Sequence, residues 1–165
     1  MTLVVPASAR SERGPDVFDS IAGLPLHPLV VHAVVVLLPL MSAVTVAVAV
    51  RPQWRGAASW VVVADVLVLV AAFVAKQSGE KLQGRLSAIR GGAAVAKQHG
   101  EQGSLLPLFA LLLVAASIVV WLARRRPALT MVSIVLAVVA GVAAIGWTLV
   151  VGHSGATDVW SGVIS

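Results

Sequence analysis

The chain contains no cysteine, so disulfides, thiolate metal sites, iron–sulfur clusters and a cysteine nucleophile are all excluded. Charge is almost as scarce. Only 12% of the 165 residues are Asp, Glu, Lys or Arg, against about a quarter in a soluble domain. No Gly-x-Ser-x-Gly elbow, phosphate loop, dinucleotide fingerprint or His-Glu-x-x-His motif occurs, so nothing points to hydrolysis or nucleotide chemistry. What fills the chain is apolar: 59% of residues are hydrophobic and the mean hydropathy is +0.97. So little charge cannot cover a globule's surface, and a water-soluble monomer is ruled out. The sequence pI near 11.2 would suit a nucleic-acid binder. The +5 net charge, however, lies largely in two short loops between apolar runs, and no nucleic-acid partner is expected.

Four stretches, 28–50, 57–75, 104–123 and 128–151, reach the roughly 20 apolar residues that a helix needs to cross a bilayer. None alternates with period two, so a membrane barrel is not expected. The reading is an all-α, up-down bundle of four transmembrane helices, a membrane domain over 23–160. A flexible tail of 1–22 precedes it, a short tail of 161–165 follows, and a long loop of 76–103 joins the middle spans. Within that loop 88–98 could form a short interfacial helix, with Gly100 and Gly103 loosening the chain before the third span.

Loop charge predicts the orientation. Arg51-Pro-Gln-Trp-Arg55 and Arg124-Arg-Arg-Pro127 hold five cations and no acid, whereas the other side mixes seven Lys/Arg with six acids. The positive-inside rule places both tight turns in the cytoplasm and the termini and the 76–103 loop outside. Trp54, Trp60, Trp121 and Trp160 fall near span ends as interfacial anchors, while Trp147 lies deeper.

This topology puts all four histidines, His27, His32, His99 and His153, on the outer side. Pro28 suits the first helical position, leaving His27 just outside the helix with its side chain free to turn inward. His32 shares a helical face with Val36, Pro39, Ala43 and Ala47, read here as a packing face that points His32 into the bundle. Gly152-His-Ser-Gly155 is expected to end the last helix and place His153 in a turn. Imidazoles so placed could ligate haem or a transition metal, cap helices, or face solvent. Asp65, near the middle of the second span, is expected neutral, since a charge at that depth costs several kcal/mol. Its candidate partners are the Val35 carbonyl freed by Pro39, Ser42, Thr45 and Ser117. Ala137-x-x-x-Gly141 and Ala140-x-x-x-Ala144 offer surfaces for close helix approach.

Gly23-Leu-Pro-Leu-His-Pro-Leu-Val-Val-His32, Ser78-Gly-Glu-Lys-Leu82, His99 and Gly152-His-Ser-Gly155 form an ordered series. In these the chain resembles the bacterial domain-of-unknown-function 2231 family of small integral membrane proteins. The resemblance covers 23–160 and implies a four-span bundle with recurrent polar positions at His27, His32, Glu80, His99 and His153. That family is sometimes joined to Rieske-type redox modules, which implies electron transfer by analogy. Ala33-Val34-Val35 departs from its pattern, which has an aromatic residue and then Pro-Ile.

The leading expectation is a multi-pass protein of the bacterial plasma membrane. It would bind haem b or a transition metal at an outer site built on His32 and His153. His27 and His99 would be further ligands, with Glu80 behind them. Two other classes stay open: a non-catalytic subunit of a larger membrane complex, and a proton-coupled transporter using Asp65. The partners admitted are the bilayer, a redox protein or larger complex, and further copies of the chain. A membrane-impermeant reagent on intact cells is expected to label Lys97 and the carboxyl end and to spare 124–126; the reverse pattern would invert the topology.

Overall fold

A computed structural model of the chain describes residues 20–21, 24–86 and 97–164. The four apolar runs are helical, and each is long and apolar enough to cross a bilayer. A two-residue antiparallel ribbon, β1 (Ser20–Ile21) with β2 (Leu24–Pro25), leads directly into α1 (Leu26–Val50). A 3-10 turn (Pro52–Ala57) connects to α2 (Ala58–Leu86). A seven-residue helix, α3 (Lys97–Gly103), precedes α4 (Leu106–Ala123). A second 3-10 turn (Pro127–Leu129) opens onto α5 (Thr130–Ile164). Pro28 and Pro107 lie in first turns, where a missing N–H costs nothing. Pro39 lies inside α1, as membrane helices tolerate.

Three boundaries differ from expectation. α2 does not stop at 75 but runs eleven residues further, through Leu86, its extension carrying a Lys76–Glu80 pair one turn apart (3.9 Å). Gly100 and Gly103 are helical within α3 rather than hinges. The 152–155 segment does not end α5, which continues to Ile164. An interior glycine costs about 1 kcal/mol relative to alanine, too little to stop a helix that packs on both sides of the break. Of the interfacial helix expected at 88–98, 88–96 fall outside the described residues, as do 1–19 of the tail.

The bundle is inside-out relative to a soluble one. Large apolar side chains such as Trp60, Leu67, Val142 and Leu149 point outward, while Ala49, Ala72, Ala110, Ala137 and Ala144 are buried. Lipid solvates the outer residues as well as a core would, so large side chains need not be inside, and small ones among the buried Val and Leu let helices approach. Around the bundle the order is α1, α2, α4, α5, each packing on its two neighbours, with α1 and α4 touching lightly across the middle. The buried positions climb in steps of three or four: Val34, Leu38, Ser42, Thr45 and Ala49 on α1; Ala58, Val61, Asp65, Val68, Ala72 and Ala75 on α2. That spacing is the seam of near-parallel helices.

Two apolar clusters fill the interior. One, around Leu38, Val68 and Leu113, lies toward the start of α1; the other, around Val48, Val61 and Val120, lies toward its end. A polar layer separates them. Thr45 donates to Asp65 Oδ2 at 3.0 Å, linking α1 to α2, and Ser117 of α4 lies beside the same carboxyl. Ser42 and Ser117 donate to their own helices at Leu38 O (2.8 Å) and Val114 O (2.9 Å). Of its expected partners, Asp65 accepts from Thr45 rather than donating to the Val35 carbonyl, and its Oδ1 is buried without a partner. Thr45→Val is expected to destabilise the bundle by about 1 kcal/mol, the scale of interhelical hydrogen bonds in bilayers, with Thr45→Ser close to wild type. Unfolding in mixed detergent micelles measures this, and equal midpoints for all three proteins would remove the bond from the account.

Candidate functional site

The end of the bundle where α1 and α4 begin carries a chamber of about 130 Å³ with mostly apolar walls. Val31, Ala75, Leu106 and Val151 supply those walls, one residue from each long helix. Two imidazoles line it, His27 and His99, close enough for a charge on one to act on the other.

His27 is the second residue of α1, inside the helix rather than before it, and its ring turns inward onto α2. Nδ1 lies 3.1 Å from Ala75 O and 3.2 Å from Ser78 Oγ. A carbonyl can only accept, so Nδ1 carries the hydrogen and Nε2 keeps the lone pair. His99 repeats this arrangement from α3. Its Nδ1 is 3.4 Å from Ser154 Oγ, and Ser154 donates its own proton to Val151 O at 3.0 Å. Ser154 Oγ is thus left to accept, and Nε2 of His99 is again the free nitrogen.

Glycines make both positions possible. A Cβ on Gly79 would stand 2.8 Å from Cε1 of His27, and one on Gly155 would stand 3.0 Å from Cε1 of His99. Gly100 performs the same service for Gln83, letting α3 lie against α2. Trp147 holds α3 from the other side: its Nε1–H donates to Gln102 O at 3.0 Å, and its ring stacks on Phe109 at 5.1 Å.

The other expected ligands are elsewhere. His32 is exposed on the outer face of α1, its Nδ1 bonded back to Pro28 O. Five residues at 100° each place it about 140° round the helix from His27, away from the seam. His153 is exposed on α5, two residues from the Gly155 that touches His99. His32 and His153 therefore do not form a joint site, and neither lines the chamber. Glu80 does line it, held by Lys76, but the described residues contain no group of three or more His, Asp or Glu able to hold a metal ion. A volume of 130 Å³ is far below the several hundred Å³ of a drug-sized pocket, so haem does not fit between the two rings. Gly79, Gly155, Ser78 and Ser154 were not expected to shape the site. The available signal was glycine at seam spacing inside motifs already notable for their histidines.

The fold is that of a multi-pass membrane protein, a four-helix bundle with two of its four histidines lining a chamber at one end. The chain belongs to the DUF2231 family, described as predicted membrane protein, whose model matches residues 23–165. No curated protein and no solved structure matches the chain.

Gly79→Ala is expected to destabilise by about 1–3 kcal/mol, as an overpacked core does, because its methyl would strike the His27 ring. Gly152→Ala, where a Cβ meets nothing within 4 Å, is the control and is expected to be neutral or slightly stabilising. Thermal unfolding of both variants measures the difference, and matched behaviour would show that the ring does not depend on the glycine.

Proposed function

We propose that the chain is a membrane-embedded binding protein for a small lipophilic ring compound bearing hydroxyl or carbonyl groups, of the phenol or quinol class, taken at the His27–His99 chamber. The observation that carries this is the pairing of apolar walls with two imidazoles whose Nδ1 atoms are already engaged. Each free Nε2 accepts a hydrogen bond from a hydroxyl while the ring is neutral, and donates one to a carbonyl once protonated. The volume of about 130 Å³ is close to the ~150 Å³ engineered cavity that takes benzene. Few convergent polar groups in an apolar hollow are the common make-up of a ligand site. Loop charge supports a chamber on the non-cytoplasmic side.

A transition-metal ion is the alternative with a physical basis, since ligating histidines commonly hold their second nitrogen as these two do. It is the weaker reading because a third protein ligand is missing among the described residues. If a metal were bound, its identity would decide whether the site moves electrons: copper and iron change oxidation state, zinc does not.

The deciding experiment titrates hydroquinone into purified protein in detergent and follows binding by calorimetry, with benzene as the hydroxyl-free control. Saturable hydroquinone binding is expected, weakened at least tenfold by His27→Ala or His99→Ala and unchanged in His32→Ala and His153→Ala. Equal binding in all four variants, or none in the native chain, would overturn the reading. Stoichiometric metal retained on purification and lost with His27 would replace it with the metal site.

A further inference from the structure

A second hollow, independent of the chamber, runs between α1 and α5 toward the arginine-bearing end. It is an open groove of about 380 Å³. Its floor is Ser42 and Gly141, where the helices come close enough that a Cβ on Gly141 would lie 3.2 Å from Val46. Its sides include Ala43, Ala47, Val142 and Ile145, and Arg51 closes one end. From Ser42 to Arg51 the helix rises about 14 Å, a length along which an acyl chain can lie.

The closed end supplies charge. The turns at that end carry Arg51, Arg55 and three arginines at 124–126, without an Asp or Glu. Arg55 directs two of its five N–H groups to Thr130 Oγ1 and Ala49 O, and Arg124 lies over Trp121. Arg51 has no ion pair among the described residues, and its guanidinium lies over the Trp54 ring at 4.4 Å. Stacking occupies the face of the group and leaves its N–H edges for an anion, the geometry in which arginine binds phosphate. An acid-free cationic end beside an apolar furrow calls for a ligand that is anionic at one end and hydrocarbon at the other.

We propose that this groove is a binding site for one anionic phospholipid, its phosphate on Arg51 and an acyl chain along Ala47 and Gly141. The test is native mass spectrometry of the full chain released from nanodiscs of equal parts phosphatidylglycerol and phosphatidylcholine. One retained phosphatidylglycerol per chain is expected, favoured at least fivefold over phosphatidylcholine. Arg51→Gln should abolish the preference, and Ala47→Phe, which fills the furrow, should abolish retention. Arg51→Gln alters an exposed side chain and keeps the test decisive if Ala47→Phe does not fold. Equal retention of both lipids, retention unchanged in Arg51→Gln, or a dimer mass that disappears in Ala47→Phe would overturn the proposal. So would inorganic phosphate competing the lipid away at millimolar concentration, since that would make the site a phosphate site without a hydrocarbon component.

Discussion

Lipid on the outside removes the force that usually drives helices together. A leucine gains nothing by leaving an acyl chain for a protein core, so these four helices associate through close approach and a few polar contacts. The structure follows from that constraint. Alanine, serine and glycine share the seams with a limited set of Val and Leu, and many other Val, Leu and Trp side chains are turned outward. One interhelical hydrogen bond, Thr45 to Asp65, stands between the two apolar clusters. In a core of Ala, Val and Leu, such a bond distinguishes one register of α1 against α2 from a register displaced by a turn.

The same constraint explains what could be read in advance and what could not. The four spans were legible because length and hydropathy suffice to identify them. Faces were not. When every side of a helix is apolar, periodicity of hydrophobicity carries no direction, and the small residues Ala43 and Ala47 beside His32 look like a packing surface. They line an open groove instead. The better marker was the three–four spacing of polar and small residues. His27, Val31, Val34, Leu38 and Thr45 share one stripe, which turns His27 inward and His32 outward. Along α5, Ala137, Gly141, Ala144, Thr148, Val151 and Gly155 do the same, and His153 falls off that stripe.

The convergence of His27 and His99 was beyond sequence reasoning for a different reason. It depends on α3 folding back between α2 and α5, a tertiary placement held by Trp147 and by Gly100 against Gln83. Glycine normally marks a break, and here three of them mark contacts. Gly79, Gly100 and Gly155 each leave room for one polar side chain to lie flat on a helix. The motif glycines and the motif histidines are therefore one feature: His27 is paired with Gly79, and His99 with Gly155.

This pairing separates the roles of the polar groups. Asp65 lies between the two apolar clusters, bonded to Thr45, and neither cavity touches it. A translocation path through it would have to open Leu38, Val68 and Leu113 on one side and Val48, Val61 and Val120 on the other. Its setting is that of a pin in the packing. The imidazoles have the opposite setting. Their Nδ1 atoms are anchored to Ala75, Ser78 and Ser154, and their rings border open volume. The anchored rings and the open volume beside them are the observations on which the proposed ligand site rests.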